Sequence, residues 1–292
     1  MLVNHLEIPE DLPVLIAGPT ASGKSDLALE IAERQGRAIV NADALQVFAN
    51  WRVLTARPDQ VDMKRIPHHL YGHISGDTSY SVGQWLRDIR AVFASDNRPI
   101  IVGGTGLNFT ALTEGLVDIP ATKPETRRQA DDLLTKEGLL ALIAGIDVET
   151  LKRIDQNNPM RVQRAWEVQQ STSRGLASWQ DDTPAPLIAL QNATPILLDA
   201  DRKWLNTRIA QRFDYMLENG ALSEAQENQK AWSPSLPSAK AIGAAQLMAH
   251  LKGEMSLDQV REAVTIATRQ YAKRQRSWFR ARMKDWQIIT LP

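Results

Sequence analysis

The sequence predicts an α/β fold: a parallel sheet with helices on both faces, interrupted by a helical insertion domain. Three observations predict it. Short apolar runs alternate with segments of helical spacing through the first third of the chain. A glycine-rich octapeptide, Gly18-Pro19-Thr20-Ala21-Ser22-Gly23-Lys24-Ser25, joins the first apolar run to the first helical segment. From Ile119 to about Asp182 the pattern becomes purely helical and more polar. Pro120 and Pro124 open that stretch and Thr183–Pro186 close it.

The elements follow in order. Val14–Ala17 is apolar throughout, as a strand buried on both faces requires. Leu27, Ala28, Ile31 and Ala32 recur at helical spacing until Gly36. Ala38–Asn41 is the second strand and Leu70–Ile74 the third. Val82, Leu86, Ile89 and Phe93 mark a helix from Tyr80 to Ala94. Pro99–Val102 is a further strand, opening into Gly103-Gly104-Thr105-Gly106 and a helix over Leu107–Leu116. Pro195–Leu198 returns the chain to the sheet. The remainder is mostly helical: Trp204–Asn219, stopped at Gly220, a turn-rich stretch Trp232–Ser238, and a long helix over Leu257–Lys284. The core therefore comprises residues 1–118 and 187–292, and the insertion residues 119–186. Ligands bind such sheets at the carboxyl ends of the strands, so Gly18–Ser25, Asn41–Gln46 and Gly103–Thr105 are expected to converge.

The octapeptide fits G-x-x-x-x-G-K-[ST] between strand and helix, which makes the core P-loop NTPase-like. Successive backbone N–H groups and the helix N-terminus favour a phosphate anion there. Lys24 can reach a terminal phosphate, and the Ser25 hydroxyl can hold Mg2+. The expected ligand is a di- or triphosphate.

Composition narrows the rest. Hydrophobic residues make up 43% of the 292, ample for a packed core. The absence of cysteine excludes disulfides and Cys-ligated zinc and suits a reducing compartment. No apolar stretch approaches the ~20 residues of a membrane span. Glu7, Glu10 and Asp11 stand where a signal peptide would be uncharged. The expectation is a cytoplasmic protein with no membrane partner. Net charge is +0, so any nucleic-acid signal lies in the distribution of charge. Arg269, Lys273, Arg276, Arg280 and Lys284 share one face of the last long helix, and Arg161 and Arg164 form a second basic cluster. A single stripe is more often a solvated face; a second basic cluster shifts the reading toward RNA phosphates.

Several side chains could carry chemistry. Asp43, two residues past the second strand, suits a general base, a water-mediated Mg2+ ligand or a helix N-cap. Thr105, after a glycine pair, can hydrogen-bond a ligand or cap the next helix. His68, His69 and His73 lack a cysteine or acidic partner at ligand spacing and read as structural. The sequons at Asn108 and Asn192 are discounted because nothing indicates secretion.

Taken together, the motifs resemble the bacterial-type tRNA dimethylallyltransferase (isopentenyltransferase) family over nearly the whole chain. The resemblance runs through Gly18–Ser25, Ala42–Phe48, Thr55–Pro58, Pro67–His69, Val102–Leu107, Asn158–Ala165 and Ala267–Gln275. It implies transfer of a dimethylallyl group from dimethylallyl diphosphate to the exocyclic amine of the adenosine 3′ to the tRNA anticodon. It also implies that the loop, Lys24 and Mg2+ on Ser25 hold the departing diphosphate. Asp43 would then be the general base and Thr105 a hydroxyl near the reacting amine. Asp43, Ala44, Leu45 and Gln46 would receive the flipped adenine. Arg127, Met160, Arg161, Val162, Gln163, Arg164, Lys240, Ala241, Ile242, Gly243, Ala244 and Ala245 match tRNA-contacting positions. The insertion matches the part of the family that grips the anticodon stem-loop, and a monomer is expected.

The chain departs from the family pattern at four places. Gly243-Ala244-Ala245 stands where Gly-Tyr-Lys or Gly-Tyr-Arg is usual, Asn108 where Tyr is, Ala44 where Ser is, and Phe48 where Tyr is. Two other readings remain open at this point. A P-loop nucleoside or nucleotide kinase accounts for the first third but leaves the insertion and the basic helix without a role. A catalytically weak RNA-binding homologue is motivated by Ala244 and Ala245.

Overall fold

The apolar runs become one six-stranded, all-parallel sheet. In this computed structural model, which describes residues 6–292, β1 (Val14–Ala17), β2 (Ile39–Asn41), β3 (His68–His69), β4 (Ile100–Gly103), β5 (Thr194–Ala200) and β6 (Gln287–Leu291) lie in the order β3-β2-β4-β1-β5-β6. Val14 pairs with Ile100 on one side and Thr194 on the other. Side chains alternate across the sheet. Val14 and Ile16 face a layer built on α1 (Lys24–Gln35) and α10 (Arg202–Glu218). Leu15 and Ala17 face α3 (Val82–Ser95), α4 (Gly106–Thr113) and the end of α13 (Leu257–Arg282). Both faces are covered, which is why β1 and β4 are apolar at every position and fully buried. The short α2 (Gln60–Arg65) precedes β3, and α11 (Ala221–Asn228) and α12 (Ala244–Leu251) follow α10. Helices α10 to α13 enclose a third cluster around Trp51, Phe213, Ala244, Leu247 and Val264.

Local signals set the helix ends. Gly23 (φ 84) and Gly36 (φ 63) bracket α1 in the left-handed region that glycine tolerates. Ser81 with Gln84 and Ser256 with Gln259 form reciprocal capping boxes at the starts of α3 and α13.

The chain divides into two compact units, one ending at Thr113 and resuming over Leu187–Pro292, the other Glu114–Pro186. The second unit is helical: α5 (Pro124–Glu137), α6 (Leu139–Ala144), α7 (Val148–Arg153), α8 (Pro159–Thr172) and α9 (Leu176–Asp181). Its core gathers Ala130, Leu142, Ile146, Val162 and Ala165.

Two expectations fail here, and one strand was not foreseen. Leu70–Ile74 is not a strand: β3 occupies His68–His69, and left-handed backbone at Leu70 (φ 62) and Gly72 (φ 58) turns the chain off the sheet. Ile74 makes an isolated parallel bridge to Phe48. The last helix stops at Arg282, so Lys284 lies outside it. The edge strand β6 follows it, unexpected from a half-exposed Gln-Ile-Ile-Thr-Leu run that becomes a strand by pairing with β5.

Gly103 packs against the Ala42 backbone so closely that a Cβ there would overlap its carbonyl. Gly103→Ala should destabilise the core unit by roughly 3 kcal/mol. A lowered denaturation midpoint at unchanged m value checks this.

Candidate functional site

The order of the sheet brings the loops after β1, β2 and β4 to one edge, because β2 and β1 flank β4 there. The loop after β1 folds tightly. A Cβ on Gly18 would stand 2.8 Å from Ser22 Oγ and 3.1 Å from Leu198 Cβ, and Ala21 (φ 64) is left-handed. No side chain caps the start of α1, so its first N–H groups stay available to an anion. Lys24 folds back over the loop, its Nζ 3.4 Å from Pro19 O. Burial and the nearby Arg212 guanidinium lower the Lys24 pKa to about 8, against the pull of the Asp43 and Asp26 carboxylates. Ser25 and Asp26 are exposed at the mouth of this loop.

The loop after β2 is fixed by Asn41. Its Oδ1 accepts from Asp43 N at 2.8 Å, and its Nδ2 donates to Asp43 O and Leu70 O, both at 3.0 Å. Trp85 Nε1 donates to Asn41 O at 2.7 Å. Asp43 Oδ1 accepts from Leu45 N at 2.9 Å, an Asx turn with no helix after it, so the N-cap reading of Asp43 fails. Its Oδ2 has no hydrogen-bond partner among the described residues and points toward Gly104. Thr105 precedes α4, but its Oγ1 accepts from Ala44 N at 3.0 Å, tying two ligand-edge loops together. Its role as a helix cap fails as well.

Three residues outside the loops complete the site. Gln275, 6% exposed on α13, accepts from Thr20 N at 2.9 Å and donates to Gly104 O at 2.8 Å. One amide thus spans both glycine loops. Arg208 Nε donates to Ala21 O at 2.9 Å, with its guanidinium 4.7 Å over the Trp204 ring. Arg212, one turn on, donates no hydrogen bond to any described residue; burial lowers its pKa, with Asp43 opposing. Lys24, Asp43, Gln46, Arg212 and Tyr271 line one cavity of about 790 Å³. Burial and Asp43 raise the Tyr271 pKa well above its usual value, which keeps the phenol neutral. Lys24, Arg208 and Arg212 line the cavity beside Asp26 and Asp43, and the unpartnered Oδ2 belongs to Asp43.

Comparison with known proteins gives this arrangement its place. The family model described as IPP transferase matches residues 46–282, and one described as isopentenyl transferase matches residues 13–70. A tRNA dimethylallyltransferase of Ruegeria sp. (strain TM1040) is 58% identical over 284 residues, 97% of each chain. One of Cereibacter sphaeroides (strain ATCC 17025 / ATH 2.4.3) is 56% identical over the whole of both chains. This chain belongs to the IPP transferase family. Among solved structures, the full-length tRNA isopentenylpyrophosphate transferase of Bacillus halodurans is 28% identical, with TM-score 0.67 over 96% of this chain and 90% of that one. A eukaryotic dimethylallyltransferase acting on tRNA, 23% identical, shares the fold at TM-score 0.80 over 95% of this chain and 73% of that one.

The remaining positions expected from the sequence to meet RNA are divided by the structure. In the helical unit, Met160 (76% exposed) and Arg161 are open to solvent. Arg127, also exposed, lies 3.4 Å from the buried Glu167 carboxylate. Gln163 bonds Asp131 and Glu167, and Arg164 donates to Thr122 Oγ1 at 2.7 Å. Val162 is a correction: its side chain is wholly within that unit's core. In the core unit, Lys240 and Ala245 are exposed, and Ile242 reaches the cavity wall. Ala241, Gly243 and Ala244 are buried, so they pack rather than present side chains to a ligand. Arg269, Lys273 and Arg280 are exposed on α13, while Arg276 and Arg280 straddle Asp199 at 3.6 and 3.5 Å. His73 meets Asp88 at 3.4 Å, an acidic partner hidden by sequence distance. Among the described residues, no three His, Cys, Asp or Glu side chains form a metal cluster.

Sequence reasoning missed Arg208 and Arg212, and it read α13 for its basic stripe and the Ala267–Gln275 motif without giving Tyr271 or Gln275 a role. A polar Gln275 in register with buried Ala272 and Phe279 was the available signal. Gln275→Ala leaves the Thr20 N–H and the Gly104 carbonyl without their partner. The expected cost is roughly 1–3 kcal/mol, read from equilibrium unfolding.

Proposed function

We propose that this chain is a tRNA dimethylallyltransferase, carrying the dimethylallyl group of dimethylallyl diphosphate to the exocyclic amine of the adenosine 3′ to the anticodon. The observation that carries this reading is the shared cavity: Lys24 and Arg212 line it together with the unpartnered oxygen of Asp43. Transfer breaks the allylic C–O bond, and the electron pair leaves with the diphosphate. Preorganised N–H groups of the phosphate loop, Lys24 and Arg212 stabilise that charge, in most enzymes the largest catalytic contribution. The adenine amine attacks the allylic carbon, and its proton passes to Asp43 Oδ2. The amine is a weak nucleophile because its lone pair is delocalised, so a placed base contributes about 10²–10⁴-fold. Asn41 and the Leu45 N–H hold the other Asp43 oxygen and its backbone, so the reactive oxygen is presented without an ordering cost.

The donor set at the loop fits Mg2+: an exposed Ser25 hydroxyl beside an exposed Asp26 carboxylate suits an ion that keeps several waters and binds phosphate oxygens. Bound there, Mg2+ supplies further neutralisation of the leaving diphosphate. The acceptor base leaves its stack to enter the cavity, a cost of a few kcal/mol that is least in a single-stranded loop. Arg127, Arg161 and Arg164 on the helical unit and the exposed α13 cations suit the anticodon stem-loop phosphates. The reading places the protein as a monomer in the cytoplasm. Among the described residues no helix is long and apolar enough to cross a membrane. A nucleotide kinase accounts for the phosphate loop but gives these cations no work. Ala244 lies in the core and Lys24, Asp43 and Thr105 are in place, which supports an active enzyme over a bare RNA-binding homologue.

Radiolabelled transfer to unmodified tRNA tests the assignment. Asp43→Ala should abolish transfer while tRNA affinity stays within a few-fold. Binding by the wild type without transfer would favour the RNA-binding homologue, and near-normal transfer by the variant would remove Asp43 as base.

Lys24 adds a pH dependence. Its pKa of about 8 is lower than in the unfolded chain, and the diphosphate requires the ammonium form. Donor affinity should be constant below about pH 7 and fall as pH rises through 8, by up to about tenfold per unit above it. Proton uptake approaching one per complex near pH 9, from calorimetry in two buffers, checks the sign.

A further inference from the structure

The cavity is also lined by residues 52–58, an irregular segment that carries no helix or strand. A carboxylate from another part of the chain holds it. Glu224, on α11, accepts from Arg52 N at 2.5 Å and Val53 N at 2.9 Å through Oε1, and from Leu54 N at 2.9 Å through Oε2. Three successive N–H groups aimed at one anion form a nest, and both carboxylate oxygens are used. Asn228, one turn further along α11, donates to Asn50 O at 2.8 Å, so two side chains on one helix face grip consecutive backbone.

The segment is tied in turn to the loop that carries Asp43. Gln46 Nε2 donates to Thr55 O at 2.9 Å and Ala56 O at 3.0 Å. Arg57 Nη1 returns to Phe48 O and Ala49 O at 2.9 and 3.0 Å. Those carbonyls can hold the Gln46 side chain only if the backbone of residues 52–56 is in its observed turn, and Glu224 supplies that turn's missing acceptor.

We infer that Glu224 is a positioning residue for the acceptor base: it sets the 52–56 turn, the turn sets Gln46, and Gln46 with Asp43 shapes the adenine-receiving loop. This rests on the tRNA-modifying reading above. Glu224 does not line the cavity, and its partners Arg52, Val53 and Leu54 lie outside the phosphate loop that would hold the diphosphate end of the donor. Its loss therefore acts on one substrate only.

The test is a double-mutant cycle of Glu224→Gln and Gln46→Ala, measured as KM for tRNA and for dimethylallyl diphosphate, with kcat. Glutamine keeps one acceptor oxygen and turns an N–H toward an N–H. Glu224→Gln should raise the tRNA KM about tenfold, with donor KM within twofold and kcat within threefold. The double variant should be no worse than Gln46→Ala alone. Hydrogen exchange supplies a readout independent of transfer: the Leu45 amide, bonded to Asp43, should exchange faster in Glu224→Gln. If that variant does not fold, Glu224→Asp, which retains both oxygens, is read the same way. A tRNA KM within twofold of wild type, multiplicative effects in the double variant, donor and tRNA KM rising together, or unchanged Leu45 exchange would each overturn the inference. A wild type that prenylates no tRNA instead overturns the functional reading, and the Leu45 exchange then decides the clamp alone.

Discussion

The site depends on a contact without room for a methyl group. Gly103 at the end of β4 lies against the backbone of Ala42 at the end of β2, and β1 flanks β4 on the other side. Three strand ends packed this tightly leave their loops nowhere to go but toward one another. Asn41 then directs Asp43, Thr105 Oγ1 pins Ala44, and Gln275 holds the phosphate loop to Gly104. Each tie is one modest hydrogen bond, worth about 1 kcal/mol in isolation. Together they fix the Asp43 carboxylate, the Lys24 ammonium and the glycine loop relative to one another, the kind of preorganisation electrostatic catalysis uses.

Charge is managed by the same geometry. Burying Lys24 beside Arg212 is unfavourable, and the lowered Lys24 pKa records it. Asp43 and Asp26 offset part of that penalty in the free protein. An anion bound at the loop would offset more of it. Arg208 stacks on Trp204 and bonds the loop carbonyl of Ala21, which leaves Arg212 as the uncommitted guanidinium. Ala244 packs in a core with Leu247 and Val264, so the residue after Gly243 serves the third cluster and not the cavity.

The amino-acid sequence alone determined the parallel α/β core, the phosphate loop, the convergence of Gly18–Ser25, Asn41–Gln46 and Gly103–Thr105, and the helical insertion. These are local: apolar runs mark strands buried on both faces, glycines mark tight approaches, and a lysine after Gly-x-x-x-x-Gly has one common use. Only the tertiary structure decided the rest. Arg212, Tyr271 and Gln275 belong to helices whose surface pattern hid their inward faces, and Glu224 finds its three N–H partners some 170 residues earlier in the chain. Val162 and Ala244 sit inside motifs yet point into cores. β6 exists because β5 offers it an edge, and Leu70 leaves the sheet because its backbone turns left-handed. Long-range pairing and the facing of a side chain depend on which elements meet, and no window of sequence contains both partners.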